Sequence, residues 1–342
     1  MYKIAFYPYE KEDNEYVNIT KRVIERQGVE LVDLEKVLEN KTLDGVDALY
    51  LNWYENERLD RLISRYLTLR KCKKKNIKIY FVMHNKRPHD GRLLNVKIFI
   101  RDLMLKVADK IIILSEESKL YLSEDCVDKT VVIPHLNYIN VYSDYFDINE
   151  NQCNDSKELR MLFMGQVREY KNIEMLIECF KKLRQCHSNV SLTISGKPLV
   201  SEYGDKLKAL IGDEKSIKTD FRFISDEEIP DLMKNHDILV LPYELRSSLN
   251  SGTVILAFSF GKTVIVPKIG TVREYDSNLM YSYEYESKEE HEKKLYEQME
   301  KVVMDYNRNN RVLDEKGKKL YAIVQEKNSE EALSKLYENL FK

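Results

Sequence analysis

The sequence predicts an α/β protein made of two doubly wound, parallel-sheet domains. Three observations carry this. Short β-rich apolar runs alternate with longer stretches of helical period from the first residues onward, the pattern that βαβ units leave in a sequence. The alternation lapses once, over 140–158, and then restarts. The 342 residues, 43% of them hydrophobic, also supply enough for two cores, since one core rarely grows past ~250–300 residues.

In the first half, β-rich runs at 3–7, 29–33, 48–52, 78–83, 110–114 and 130–133 read as strands, with helical segments between most of them. The stretch 140–158 is polar, carries tyrosines and shows no periodicity, so it reads as the linker. Alternation then resumes with strand 160–164, helix 172–185, strand 191–195, helix 201–211 and strand 220–224. Helix 226–235, strand 238–242, helix 251–260 and strand 263–267 complete a second doubly wound set. From 288 onward the chain is charged, helical and almost free of glycine.

Composition excludes several classes. The 55 Lys+Arg and 57 Asp+Glu cancel to a net charge of −2, so no global field advertises a nucleic-acid partner. No apolar run approaches the ~20 residues that cross a bilayer, and the first residues lack the basic-then-apolar order of a signal peptide; a cytoplasmic protein is expected, membrane-associated at most. Five cysteines with no C-x-x-C point to buried or free thiols. There is no G-x-G-x-x-G after the first strand, and Gly261-Lys262-Thr263 has Leu256 where a phosphate loop opens with glycine. No D-x-D occurs. His84 and His89 are separated by Pro88, which forbids a shared helix face, so no metal or other cofactor is expected.

Local charge is less even than the total. Residues 58–110 hold sixteen Lys+Arg against four Asp+Glu, a net of +12, between segments of −6 at 1–57 and −6 at 111–150. Within it Arg58, Arg61, Arg65, Arg70, Lys71, Lys73, Lys74 and Lys75 interleave with Leu62, Leu67 and Leu69 on one amphipathic helix. Such a run is either a solvated face or a surface for anionic lipid, where each basic residue adds ~1 kcal/mol.

Candidate chemistry gathers at the carboxyl ends of expected strands, where open α/β sheets keep their ligands. The strand 78–83 runs into His84-Asn85-Lys86-Arg87-Pro88-His89-Asp90-Gly91, a donor-rich loop in which a histidine near a carboxylate can move a proton. The strand 160–164 runs into Gly165-Gln166-Val167-Arg168-Glu169-Tyr170-Lys171-Asn172, two cations ahead of a helix start. A second loop, Tyr243 through Asn250, Ser251, Gly252 and Thr253, opens another helix with hydroxyls, which serve either as caps or as anion ligands. Two such helix starts in one domain suit a diphosphate.

These segments resemble GT-B glycosyltransferases of the glycosyltransferase family 4 kind. The resemblance rests on the Gly165–Asn172 loop followed by Ile177-Glu178-Cys179-Phe180, on Ile194-Ser195-Gly196-Lys197-Pro198, on the strand 237–242, on 251–267, and on Gly270 with Glu274. In the first half it rests on His84-Asn85, Ala108-Asp109-Lys110 with Ser115, and Val132-Ile133-Pro134. Where that family carries paired glutamates this sequence has Ser248 and Leu256, and Gln166 follows the motif glycine, so that Arg168 would supply the missing charge. The resemblance implies two Rossmann-like domains facing a cleft: 1–150 for the acceptor, 151–320 for the nucleotide-sugar donor, and a final helix within 321–342 crossing back. It implies donor residues Gly165, Arg168, Lys171, Gly196, Lys197, Tyr243, Asn250, Ser251, Gly252, Thr253 and Glu274, with His84 and Asn85 as the catalytic pair. Tyr9, Asn14, Tyr16, Trp53 and His89 are the expected acceptor contacts, the aromatic rings stacking on sugars. The implied activity is metal-independent sugar transfer from a nucleoside diphosphate to a saccharide or lipid-linked acceptor in surface polysaccharide assembly. The rival reading is a catalytically silent subunit of the same fold that binds nucleotide or glycan.

Overall fold

The computed structural model describes residues 1–10, 14–87, 93–148 and 158–342. Two six-stranded parallel sheets organise them, each at the centre of one contact-defined unit. The first unit comprises Met1–Leu136, Arg246–Asn250 and Lys327–Lys342, and the second Asn137–Leu245 and Ser251–Glu326.

In the first unit the strands are β1 (Lys3–Tyr7), β2 (Glu30–Asp33), β3 (Ala48–Asn52), β4 (Lys78–Met83), β5 (Lys110–Ile113) and β6 (Thr130–Val132), ordered β2-β1-β3-β4-β5-β6. The helices α1 (Glu15–Glu25), α2 (Leu34–Glu39), α3 (Leu59–Lys74), α4 (Leu94–Val107) and α5 (Glu124–Val127) connect them. Every residue of β3 is buried, as expected of a strand covered on both faces, which is why its sequence runs apolar without alternating.

The second unit begins with β7 (Leu159–Met164), α6 (Ile173–Cys186), β8 (Val190–Ser195), α7 (Ser201–Ile211), β9 (Ile217–Asp220) and α8 (Ile229–Lys234). It continues with β10 (Ile238–Val240), α9 (Gly252–Ser259), β11 (Thr263–Pro267), α10 (Gly270–Arg273) and β12 (Tyr281–Tyr283), in the order β12-β11-β10-β7-β8-β9. The charged tail forms α11 (Lys288–Arg308), α12 (Val312–Lys327) and α13 (Glu330–Phe341). The last of these is built into the first unit: buried Glu330 takes Arg22 at 3.0 Å and Arg26 at 2.7 Å, and Tyr337 shares a 2.8 Å hydrogen bond with Tyr50.

Two sequence expectations are corrected. The strand expected at 220–224 lies upstream, at Ile217–Asp220, where it pairs with β8 in register from Leu192↔Ile217 to Ser195↔Asp220; Phe223 beyond it is exposed. The stretch 140–158 is not a free linker as far as it is described. Tyr142 is buried in the second core against Phe260, ring centres 5.2 Å apart, and its hydroxyl donates to Asp226 at 3.0 Å.

Candidate functional site

In each sheet the chain order reverses between two neighbouring strands, β1 and β3 in the first and β7 and β10 in the second. Loops leaving the carboxyl ends of such a pair part to opposite faces and open a crevice for ligands.

The second unit builds its crevice on glycine. Gly165 and Gly196 hold φ of +137° and +139°, and a Cβ on Gly196 would stand 1.8 Å from the Gly165 carbonyl oxygen. Only glycine lets the loops after β7 and β8 meet backbone to backbone, where Gly165 N–H donates to the Ser195 carbonyl at 3.1 Å and Val167 N–H to that of Lys197 at 3.2 Å. Asn172, left-handed at φ +53°, pins the loop to the end of β10 by donating from Nδ2 to the Pro242 carbonyl at 2.9 Å.

Arg168 and Lys171 project from this loop. The Lys171 Nζ stands 3.9 Å from the centre of the Tyr243 ring and 5.1 Å from that of Tyr170. The residue is half-buried but its ammonium is enclosed, and that burial, with the charge of Arg168 second, pushes its pKa down to about 7. The Arg168 Nε is buried with no hydrogen-bond partner among the described residues. One anion relieves both costs, by accepting from the guanidinium and favouring the charged ammonium.

α9 starts beside them. Ser251 Oγ accepts from the Val254 N–H at 3.3 Å and donates to the Tyr243 hydroxyl at 3.0 Å, and the Ser251 N–H donates to Thr271 Oγ1 at 3.1 Å. Ser251 is therefore a cap, and buried Tyr243 a support for it and for Lys171. The N–H groups of Gly252 and Thr253 have no intrahelical acceptor and lie at the positive end of the helix dipole. Thr253 Oγ1 is 3.9 Å from where a Cβ of Gly165 would stand, so the helix start and the β7 loop close on the same space. Lys197 and Glu274 are exposed, the latter at the end of α10. Asn250 falls in the first unit, where its Nδ2 donates to the His84 carbonyl at 3.2 Å.

In the first unit His84 follows β4 directly and is buried. Its Nε2 is 3.0 Å from Asn52 Oδ1, and its ring stacks on Trp53 at 4.0 Å and 17°. Tyr16 meets both edge-on, at 5.4 Å from His84 and 5.7 Å from Trp53. Trp53 adopts φ +49°, a left-handed conformation that costs a side-chain-bearing residue about 1–2 kcal/mol and points to an imposed geometry. Tyr16 is only 3% exposed and so packs inside the unit instead of displaying its ring, whereas Trp53 is half-buried and gives one ring face to His84. Tyr9 is held by Lys21, whose Nζ stands 4.1 Å from its ring centre and donates to its carbonyl at 3.0 Å. Asn14 precedes α1 without capping it through its side chain, Asn85 is half-buried, and His89 lies outside the described residues.

Sequence reasoning missed the polar groups beneath this loop. Lys86 and Glu117 form a buried pair at 3.3 Å. Glu55 is buried with Oε2 unpartnered among the described residues, and burial pushes its pKa up to about 7. Asn52 was visible only as a polar residue closing an otherwise apolar strand.

The basic run is largely spoken for. Arg65 lies between the rings of Tyr7 and Tyr54, at 4.6 and 4.5 Å, and donates to the Tyr54 carbonyl at 2.8 Å. Arg58 pairs with Asp60, Arg61 with Glu57, Lys73 with Asp109 and Lys75 with Asp44. Arg70, Lys71 and Lys74 have no ion pair among the described residues, and at helical spacing they continue a stripe begun by exposed Ile63 and Leu67. Among the described residues no helix is long and apolar enough to cross a membrane, and no three His, Cys, Asp or Glu gather as a metal site would require.

Residues 145–320 match the family model described as glycosyl transferases group 1. The lipopolysaccharide 1,2-N-acetylglucosaminetransferase of Salmonella typhimurium is 29% identical over 122 residues, 34% of this chain and only 32% of that protein. The crystal structure of Anabaena HepE with UDP and glucose superposes with a TM-score of 0.71 at 16% identity, over 100% of this chain and 99% of the other. Sucrose-phosphate synthase of Thermosynechococcus elongatus gives 0.75 at 12% identity, over 100% and 99%. At such identities the two structures show a shared fold.

Proposed function

This chain belongs to the group 1 glycosyl transferases, and on that premise we propose that it moves a sugar from a nucleoside diphosphate to a saccharide acceptor, with lipid-linked glycans of surface polysaccharide assembly as the natural class. The observation that carries the reading is the buried Arg168 Nε, without a hydrogen-bond partner among the described residues, beside a Lys171 driven toward neutrality, at the switch point of the second sheet. The UDP bound by HepE and the sugar named for the Salmonella relative support a uridine diphosphate sugar as donor. In this reading Arg168, Lys171 and the first N–H groups of α9 take up the charge that grows on the leaving diphosphate, the part a divalent ion plays elsewhere. His84 receives or orients the acceptor hydroxyl.

Titration calorimetry with UDP tests the donor site. Arg168→Ala and Lys171→Ala each remove a charge-assisted contact of ~1.5–3 kcal/mol, so affinity falls by about one to two decades with the fold intact. Wild-type affinity in both variants would place the donor elsewhere. We further propose peripheral contact with anionic membrane, carried by the α3 stripe of Ile63, Leu67, Arg70, Lys71 and Lys74.

A further inference from the structure

The turn that carries Tyr243 belongs to no strand or helix, and one side chain from elsewhere in the second unit bridges it. β10 ends at Val240, and Tyr243, Glu244 and Leu245 follow in irregular backbone. Tyr285 comes just after β12, the outermost strand of the sheet, which β11 separates from β10. Its hydroxyl accepts from the Leu245 N–H at 2.7 Å and donates to the Tyr243 carbonyl at 3.1 Å. A phenol has one proton to give and lone pairs to receive with, so this one group satisfies both ends of the turn. The ring itself is fixed from behind. It stacks on His291 of α11 at 3.9 Å and 7°, and the His291 Nε2 lies 3.0 Å from the Tyr283 hydroxyl.

What this turn presents is a wall of the candidate donor site. The Tyr243 ring centre stands 3.9 Å from Lys171 Nζ, and the Tyr243 hydroxyl accepts at 3.0 Å from Ser251 Oγ, the cap of α9. We propose that Tyr285 is a positioning residue of the donor site: by bridging Tyr243 and Leu245 it keeps the Tyr243 ring closed over Lys171, and so sets how the loop after β7 takes up a diphosphate. The proposal rests on the donor role given to Arg168 and Lys171 above. Tyr285 acts through Tyr243 and neither gains nor loses a proton. A ring held over the ammonium strips it of water and favours the neutral amine, whereas a loosened ring returns that water and favours the charge. Arg168 is the charged group that acts on Lys171, and α9 carries no charged residue. Burial pushes the Tyr243 hydroxyl up to about 12 and holds His291 down at about 4, so neither titrates between pH 7 and 8.5.

Calorimetry with UDP on the full chain at pH 7 and 8.5 tests this, read as the ratio of the two dissociation constants. In the wild type the ratio should be about 16, because the charged fraction of Lys171 falls from about 0.5 to about 0.03. Tyr285→Phe keeps the ring and its stack on His291 but loses the bridging hydroxyl. The Lys171 pKa should then climb by about one unit, and the ratio should shrink to about 4. His291→Leu removes the ring behind Tyr285 and leaves the hydroxyl, so it should lower the ratio in the same direction by less. Tyr281→Phe is the control for losing a buried tyrosine hydroxyl. That hydroxyl donates to Asp305 at 3.0 Å, and its loss should leave the ratio at the wild-type value. A wild-type ratio in Tyr285→Phe overturns the proposal, and so does an equal drop in Tyr281→Phe, which would make the change a general loosening of the unit. If Tyr285→Phe does not fold, His291→Leu decides: a lowered ratio supports the proposal and a wild-type ratio overturns it. A ratio near one in the wild type overturns the donor reading and the proposal with it, whereas a steep wild type overlaid by Tyr285→Phe overturns the proposal alone.

Discussion

Lys171 couples donor binding to pH. Its pKa of about 7 means that about half of the free protein carries a neutral amine at pH 7, and about 97% does at pH 8.5. A diphosphate against the ammonium favours the charged form and draws the pKa back toward the ordinary ~10.4, so binding takes up a proton. The sign follows: a group whose pKa rises on binding favours the complex at low pH and weakens it as pH climbs through the free value. Affinity scales with the charged fraction, which falls from about 0.5 to about 0.03 over that range. The dissociation constant for UDP should rise about 16-fold, or ~1.6 kcal/mol. The last phosphate ionisation, near ~6, is complete over the same range and does not offset the effect. Calorimetry in two buffers of different ionisation enthalpy should report about half a proton taken up at pH 7 and nearly one at pH 8.5. Lys171→Arg keeps a permanent charge and should flatten the profile; Lys171→Met should be weaker at pH 7 and also flat. A dissociation constant that does not change between pH 7 and 8.5, or the same rise in Lys171→Arg, would refute the reasoning.

Three further outcomes are expected. His84→Ala should lower turnover far more than UDP affinity, and an equal loss of both would move the residue to the donor side. Sugar transfer should continue in excess chelator, whereas abolition with rescue by a divalent cation would overturn the cationic account of the leaving group. Replacing Arg70, Lys71 and Lys74 by Gln should weaken binding to vesicles rich in phosphatidylglycerol by about 3 kcal/mol at low salt; replacing Lys73 and Lys75, whose charges meet Asp109 and Asp44, should change it little. Equal absence of binding to anionic and neutral vesicles would leave α3 as a solvated face.

The candidate site of the second unit was the more legible part because its polar residues sit in contiguous loops. Gly165, Arg168 and Lys171 follow one apolar run closely, and Gly252 and Thr253 open the helix that follows the next loop, so order along the chain and order in space agree. The strand at 217–220 was displaced because Phe221 and Phe223 imitate an alternating strand, while the real one buries Ile217 alone. Pairing with β8 decided the matter, and pairing is not written in either run. Tyr142 misled in the same way: a polar neighbourhood suggested a linker, but a single large ring was enough to dock its segment on Phe260.

The aromatic cluster of the first unit shows what residue type alone leaves open. Trp53, Tyr16 and His84 are all residues that handle sugars, and the sequence offers no way to tell a ring that meets a ligand from one that holds another ring. Geometry separates them: the stacking of Trp53 on His84 at 4.0 Å leaves the histidine as the group being positioned and the aromatics as its wall. The same sorting applies to charge. A run that totals +12 along the chain keeps three cations on α3 with no ion pair among the described residues, because Glu57 and Asp60 meet Arg61 and Arg58 locally while Asp44 and Asp109 come from other elements to meet Lys75 and Lys73. What a charged helix can bind is set by the cations left over after folding, and here those share a face with Ile63 and Leu67, the two aliphatic side chains of α3 that the fold leaves exposed.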